Sequence, residues 1–334
     1  MVVRRIAFAL AVMLGWSGTA AAGPAILFDA GSGKVLYAED QDQPWHPASL
    51  TKIMTAYLVF EALKNNTITL EQKIPVSTNA HAQPPSKLGL PVGAEITVNL
   101  ALKALIIKSA NDAAVMLAEA IGGGGTDEAF IRSMNATALR LGMTQTRFVN
   151  PHGLPAPEQV TTARDLARLT KAVLADFPGQ SELWSMADMQ IGRRRLRTHN
   201  GLLRTYEGAD GLKTGFICDS GFNVVATATR DNRRLAAVVL GEYTSRDRSL
   251  RAASLLEHGF RTYGWKELFS SPTLETVPVS AESAEPRSVR EMVLSFACNG
   301  KRQARAVPTK RQKKARVKKR DTATAGNAAA AKSE

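Results

Sequence analysis

A serine hydroxyl is a poor nucleophile until a base takes its proton, so a serine and a candidate base at fixed spacing are what an enzyme would need. Ser49 and Lys52 stand three residues apart in HPASLTK at 46–52. On a helix that spacing puts both side chains on one face. A lysine amine can act as the base only if its pKa falls, and burial or a second nearby cation lowers it. Pro47 suits a chain entering a helix, because its missing N–H costs nothing in the first turn. Backbone N–H groups at a helix start also favour negative charge on Ser49 and its adduct. Taken alone the pattern is cheap: Ser-x-x-Lys arises about once by chance in a chain of this length.

Two further clusters carry polar chemistry. Ser109-Ala110-Asn111 lies where two apolar helical stretches meet, and a buried serine and asparagine there need partners. Ser-x-Asn also occurs at Ser77 and at Ser133, so this motif alone is weak. Lys213-Thr214-Gly215 occurs once, on a strand pattern. Gly215 has no side chain, so another backbone can approach closely. Lys213 brings a cation and Thr214 a hydroxyl to the edge of a sheet.

The elements that must position these groups read as follows. Apolar runs at 25–30 and 34–39 flank Gly31-Ser32-Gly33, a hairpin signal. Residues 49–64 have a helical apolar period, and 98–120 hold two helical stretches meeting near Ser109. Thr126 is expected to cap a helix through Leu141, and Thr162 with Asp165 forms a capping box opening a helix to Ala175. Residues 212–217, 223–229 and 235–240 read as strands, the last two joined at Arg230-Asp231-Asn232-Arg233, and 246–263 return to helix. The expected fold is α/β of the α+β type: one antiparallel sheet built from both chain ends, flanked by helices, with a helical subdomain.

In order, Ser-x-x-Lys, Ser-x-Asn and Lys-Thr-Gly are spaced about 60 and 100 residues apart. That combination resembles the penicillin-recognising serine acyl-transferases. The wider stretches YEGADGLKTGFICDSGFNVVATA at 206–228, RFVNPHGL at 147–154, TTARDLARL at 161–169 and HNGLL at 199–203 resemble the low-molecular-mass D-alanyl-D-alanine carboxypeptidases, peptidase family S11. The resemblance covers roughly residues 24–265 and implies a β-lactamase/transpeptidase-like fold.

It also implies roles. Ser49 would attack the carbonyl between the last two D-alanines of a peptidoglycan stem, and Lys52 would take its proton. Ser109 and Lys213 would relay the proton to the leaving D-alanine, and Asn111 would hold the substrate amide. The backbone N–H groups of Ser49 and Phe216 would form the oxyanion hole. Lys213 and Thr214 would read the terminal carboxylate beside Gly215. β-Lactams, as mimics of the D-Ala-D-Ala end, would acylate Ser49. No metal or organic cofactor is implied.

The sequence departs from the family pattern in three places. His199 stands where relatives often carry Arg ahead of the Asn-Gly pair; it reads either as a weaker, pH-sensitive carboxylate contact or as a structural histidine. A segment of weak strand character at 270–300 replaces the β-rich domain and anchoring helix of many relatives. Cys218 and Cys298 could close a disulfide that pins this segment beside the site in an oxidising compartment. His152, His46 and His81 read as structural.

The ends differ from the body. Residues 1–22 read as a secretory signal: Arg4 and Arg5, a short apolar run, then Ala20-Ala21-Ala22 before Gly23. The expected organisation is a signal peptide at 1–22, a carboxypeptidase domain at 23–269, an extension at 270–300 and a basic, disordered tail at 301–334. The protein is therefore expected in the periplasm or cell-wall space. The formal charge is +13, yet residues 23–300 hold 29 Lys and Arg against 28 Asp and Glu, whereas 301–320 hold 11 Lys and Arg and no acid. The excess charge belongs to the tail, which reads as solvated or as an electrostatic contact to an anionic membrane or wall surface. Nucleic acid does not fit an exported chain. Of the 334 residues 44% are hydrophobic and 22% charged, which excludes a wholly disordered or polytopic membrane protein. Two cysteines cannot alone make a four-ligand zinc site. Oligomeric state leaves no mark on the sequence.

Three rivals share the site. A class A β-lactamase needs a Glu-x-x-Leu-Asn loop, and no Glu here begins one. A D,D-endopeptidase would use the same residues on cross-links. A catalytically idle penicillin sensor would not need all three motifs intact.

Overall fold

Strands β1 (Ala25–Asp29) and β2 (Val35–Glu39) form the opening hairpin. The Asp29 carboxylate closes the turn by accepting from the Ser32 backbone N–H and hydroxyl, both at 2.7 Å. The computed structural model describes residues 23–123, 126–267, 271–280 and 285–295. Residues 1–22, expected to be a secretory signal, Cys298 and the basic residues 301–334 lie outside them.

A short turn of 3-10 helix, Ala48–Leu50, leads into α1 (Thr51–Lys64). This helix is apolar nearly all round and is buried accordingly, with Ile53, Met54, Ala56, Val59 and Phe60 at 0% or 1% exposure. Then follow β3 (Lys73–Pro75), α2 (Thr78–Ala82), β4 (Glu95–Thr97), α3 (Val98–Lys103), a π-turn at Ala104–Lys108 and α4 (Asn111–Gly122). Helices α5 (Glu128–Arg140) and α6 (Ala163–Asp176) complete the helical layer. After α7 (Ser181–Ser185), a small hairpin of β5 (Asp188–Ile191) and β6 (Arg194–Arg197), and α8 (Leu202–Thr205), the chain returns to the sheet. It does so through β7 (Ala209–Ile217), β8 (Gly221–Arg230) and β9 (Arg233–Glu242). The turn between β8 and β9 places Asp231 and Asn232 at φ of 48° and 60°, the left-handed region that Asp and Asn tolerate best. Helix α9 (Ser245–Glu267) follows, and α10 (Arg290–Val293) closes the described chain.

The five-stranded sheet runs β2-β1-β9-β8-β7, and each adjacent pair is antiparallel. Both chain ends therefore build it, as the sequence predicts. Strand β9 shows why its pattern is a continuous apolar run. Ala236, Val238 and Leu240 face the cluster containing α1 and α6, while Leu235, Ala237 and Val239 face Ala252, Leu255 and Leu256 of α9. Both faces are covered, so alternation with polar residues disappears. Strand β7 ends the sheet, and its outer edge carries Lys213-Thr214-Gly215.

Four expectations change. The cap of α5 is Asp127, one residue after Thr126, and it makes no side-chain cap hydrogen bond. Thr162 does cap α6 by accepting from Asp165 N, but the Asp165 carboxylate turns away to accept from Gln145 N and Thr146 Oγ1, so half of the capping box is missing. Hairpins β3–β4 and β5–β6 were not foreseen: each strand is three or four residues long, too short for periodicity to register. The segment at 270–300 forms no strand among the described residues beyond a single bridge from Thr273 to Lys34.

That segment is a strap pinned from below. Arg164 pairs with Asp42 (Nη2 to Oδ2, 2.7 Å), and the side chains are 6% and 5% exposed. The same guanidinium donates to the carbonyls of Leu274, Val277 and Pro278. Leu274, Val277 and Val293 are buried in the main core. Burial alone would raise the Asp42 pKa, but hydrogen bonds from Arg164 and Ser280 hold it below the usual carboxylate value. Farther along, Arg290 pairs with Asp219 at 3.1 Å, on the turn between β7 and β8.

Candidate active site

The three motifs meet in one cleft of about 490 Å³, lined by Ser49, Ser109, Asn111, His152, His199, Thr214, Gly215, Phe216 and Arg248. Ser49 sits in the 3-10 turn, immediately after Ala48, whose φ of 48° bends the chain sharply into α1. Gly153, on the facing loop, has φ of +84°, and a Cβ there would lie 1.8 Å from the Ala48 carbonyl oxygen, so only glycine lets the loop reach this turn. Lys52, the second residue of α1 and one turn after Ser49, is 1% exposed. Its Nζ donates to Ser49 Oγ at 3.1 Å, to Asn111 Oδ1 at 2.7 Å and to the His152 carbonyl at 2.6 Å.

Burial pushes the Lys52 pKa well below that of an exposed lysine; Lys213 lowers it further, and Asp112 opposes the shift. This shift favours the neutral amine, the form that can act as a base. Two of the three partners of Nζ, the Asn111 and His152 carbonyl oxygens, can only accept. A neutral amine has two hydrogens and one lone pair, so satisfying both carbonyls turns the lone pair to Ser49. The geometry makes Lys52 a base toward that hydroxyl alone.

Ser109 ends the π-turn in the left-handed conformation, at φ 59°, and so breaks the apolar run into two helices. Its hydroxyl is buried and has no protein partner among the described residues. Asn111 begins α4. Besides accepting from Lys52, it donates through Nδ2 to the Pro84 carbonyl at 2.8 Å. Asp112, which the sequence reading missed, is 2% exposed and accepts from the backbone N–H groups of Leu88 and Gly89 at 3.0 and 2.9 Å. It thereby ties the loop over the cleft to the start of α4.

The opposite wall is β7 and α9. A Cβ on Gly215 would come within 2.9 Å of the Pro47 carbonyl oxygen and 3.1 Å of Ser49 N, so the missing side chain keeps open the space between strand and nucleophile. Phe216 stacks on Phe222 with centroids 4.2 Å apart. Lys213 is 3% exposed, and its Nζ donates to the Thr214 carbonyl at 3.0 Å. Burial, and then the positive charge of Arg248, push its pKa down to about 7. His199 stands at the lip of the cleft. Desolvation by the cleft walls, with Lys213, Lys108 and Arg248 nearby, pushes its pKa down to about 4, so it is neutral at neutral pH.

Arg248 is the residue the sequence did not reveal. It lies in the first turns of α9, 4% exposed, and donates to the His199 carbonyl at 3.3 Å and to Ser245 Oγ at 3.1 Å. Its Nε is buried without a partner among the described residues. Burial lowers its pKa to about 10, so it keeps its charge at neutral pH. An arginine inside a surface-helix pattern carries no distinguishing signal; only the packing of α9 on the sheet brings it here.

His152 is buried, accepts from Leu154 N through Nδ1 and supplies its carbonyl to Lys52. Burial, and then the Lys52 charge, push its pKa down to about 3. Its ring is structural, as read from the sequence, while its backbone belongs to the site. Cys218, two residues after Phe216, is disulfide-bonded; Cys298, the only other cysteine in the chain, lies outside the described residues. Among the described residues no group of three or more His, Cys, Asp and Glu could hold a metal ion.

Comparison with known proteins agrees with this geometry. Residues 13–244 match the family described as D-alanyl-D-alanine carboxypeptidase, Peptidase_S11. The chain is 40% identical over 245 residues to the D-alanyl-D-alanine carboxypeptidase DacC of Escherichia coli (strain K12), covering 71% of this chain and 61% of that protein. It thus spans less than two thirds of that relative's length. A D-alanyl-D-alanine endopeptidase of Pseudomonas aeruginosa is 32% identical over 250 residues, covering 72% of this chain and 78% of that one. Among solved structures, penicillin binding protein 5 from Haemophilus influenzae superposes with a TM-score of 0.69 at 35% identity, covering 72% of this chain and 71% of that one. The chain belongs to the D-alanyl-D-alanine carboxypeptidase family, Peptidase S11.

Proposed function

We propose that the protein is a serine-type D-alanyl-D-alanine carboxypeptidase that removes the terminal D-alanine from peptidoglycan stem pentapeptides and is acylated by β-lactams. The observation that carries this reading is Lys52 Nζ, buried, held by two carbonyl oxygens and 3.1 Å from Ser49 Oγ, a placement in which the neutral amine turns its lone pair to that hydroxyl. Ser49 Oγ attacks the carbonyl carbon of the D-Ala–D-Ala amide as its proton passes to Lys52. The developing oxyanion is held by the N–H groups of Ser49 and Phe216. The C–N bond breaks as the proton on Lys52 passes through the Ser109 hydroxyl, which receives one proton as it gives another, to the departing amine, leaving Lys52 neutral again. Water then cleaves the Ser49 ester and restores the hydroxyl. Lys213, Thr214 and Arg248 receive the terminal carboxylate, and the open edge of β7 beside Gly215 takes the substrate backbone as an added strand.

The test offers the purified protein a pentapeptide muropeptide and a labelled penicillin. D-Alanine release and a slow covalent adduct are expected, and Ser49→Ala abolishes both, with a fall in kcat of at least about 10⁴-fold. Rapid penicillin turnover would instead indicate a β-lactamase. The similarity to an endopeptidase favours one second reading, cleavage of D,D cross-links, which monomer release from a cross-linked dimer would reveal.

The reading extends to the ends of the chain. Residues 1–22 act as a secretory signal and place the enzyme in the periplasm or cell-wall space, where the basic tail holds it to an anionic membrane or wall surface. Truncation after Asn299 should leave soluble-peptide turnover unchanged while lowering retention on anionic vesicles or sacculi at low salt; equal retention removes the tether.

A further inference from the structure

The hairpin β5–β6 contributes nothing to the chemistry at Ser49, yet it is built next to it. Residues 188–197 hold four arginines, Arg193, Arg194, Arg195 and Arg197, against one acid, Asp188. All four arginines are exposed. Asp188 forms an ion pair with Arg195, at 2.6 Å, and lies opposite Arg197 in the ladder, where the Arg197 charge also acts on it. Arg193, Arg194 and Arg197 have no ion-pair partner among the described residues; the one hydrogen bond of Arg194 goes to the Leu88 carbonyl, at 3.5 Å.

The hairpin is anchored rather than dangling. Met189 and Leu196, opposite each other in the ladder, are buried in the main core. Both strands pack on the Ala104–Lys108 turn that ends at Ser109. Two residues after β6 comes His199, at the cleft lip. Lys87 and Lys108, on the segments that the hairpin touches, extend the positive field toward the opening. A cationic ridge thus stands beside the lip of the cleft, against the turn that ends at Ser109.

We propose that this ridge is a second substrate surface, which binds the free carboxylates of neighbouring stem peptides on the same wall polymer while one stem occupies the cleft. The inference rests on the carboxypeptidase reading. Every stem that ends in D-alanine ends in a carboxylate, so a strand carrying many uncut stems is a polyanion. Its charges would lie along the ridge when one terminus enters the site. A row of unpaired arginines gives such a polymer both attraction and the fork geometry that carboxylates accept. Neither exposed strand face presents a large apolar side chain, which is what insertion into a lipid surface would use. As uncut stems are consumed, the polymer loses no charge at its ends but its next terminus shortens, so the ridge acts on affinity for the strand and leaves the chemistry at Ser49 untouched.

The experiment compares the full chain with the double variant Arg193→Glu and Arg197→Glu. Both side chains are exposed, and because Arg197→Glu would set a carboxylate opposite Asp188 across the ladder, Tm is followed and Arg193→Glu alone serves as the milder variant. Co-sedimentation with insoluble pentapeptide-rich wall polymer is read first, because it does not require turnover. The variant should bind about fivefold or more weakly at low salt, and the gap should close near about 0.5 M salt, where surface charges are screened. On D-alanine release, KM should rise similarly for the polymer and stay within about twofold for a monomeric stem peptide, with kcat unchanged on both. Equal sedimentation of the two proteins at low salt, or an equal rise in KM on both substrates, overturns the proposal. So does a loss of retention on anionic phospholipid vesicles with unchanged polymer binding, which would assign the ridge to lipid. If the unmodified protein releases no D-alanine from either substrate, the carboxypeptidase reading fails and sedimentation alone judges the ridge.

Discussion

The two walls of the cleft hold similar cations in opposite circumstances. On the α1–α4 wall, Lys52 Nζ has three oxygen neighbours without substrate, and the one group there with no partner among the described residues, the Ser109 hydroxyl, is uncharged. On the β7–α9 wall, Lys213 has one backbone carbonyl, and Arg248 keeps a buried Nε with no partner among the described residues. A buried charged group left partly unpaired is costly, so these cations gain from a ligand that pairs them. The first wall is built to move a proton. The second is built to accept an anion, and the terminal carboxylate of the proposed substrate is the anion that fits.

Substitutions should separate these roles. The largest effect belongs to the proton wall. Lys52→Met should cut penicillin acylation and D-alanine release by about 10³-fold or more, the scale of general-base loss. A fall of less than tenfold would mean that Ser49 has another base. On the anion wall, Arg248→Gln should lower kcat/KM by roughly 10- to 100-fold for a substrate with a free C-terminal carboxylate, the worth of one or two charge-assisted hydrogen bonds. A C-terminally amidated substrate should be nearly indifferent to the change. Equal losses on both substrates would erase the distinction between the walls.

The smallest effect sharpens the comparison through pH. Lys52 must be neutral to act, so activity rises as pH climbs through its depressed pKa. Lys213 must be charged to hold the carboxylate, and its pKa of about 7 means that its cation is lost as pH rises above neutrality. The plot of kcat/KM against pH should therefore have a falling limb near 7. Bound carboxylate stabilises the cation, so the falling limb of kcat should lie at higher pH. Lys213→Arg should remove the limb near 7, because guanidinium stays charged. A limb that persists there in the variant would assign it to another group.

The division between the walls also explains what was legible in the sequence. Ser49 and Lys52 lie on one helix, where a spacing of three residues fixes their relation, and Lys213, Thr214 and Gly215 are contiguous on one strand. Local geometry made these readable. Ser109 and Asn111 were separable from two similar triplets only because they interrupt an apolar helical run. The α+β layout followed from strand patterns at both ends of the domain. Arg248 and Asp112 were invisible, because their importance comes from packing: one is carried in by α9, the other is turned inward to hold a loop. The hairpin of arginines was invisible for a different reason. Its strands are too short and too charged to show a period, and only two buried side chains, Met189 and Leu196, hold it down. The extension at 270–300 lacked strand periodicity because its order comes from the Arg164 guanidinium beneath it.

The strand order of the sheet has a consequence for how the molecule is made. β1 borders β9, so the first strand to leave the ribosome waits for the last before its second edge is closed. More than 200 residues must be synthesised in between. Until then the nascent chain carries an unpaired apolar edge, and Ser49 has no Gly215 opposite it. A serine site assembled from such distant pieces stays incomplete in any product that ends before the late strands and α9, so translation itself limits when the Ser49 hydroxyl can be activated.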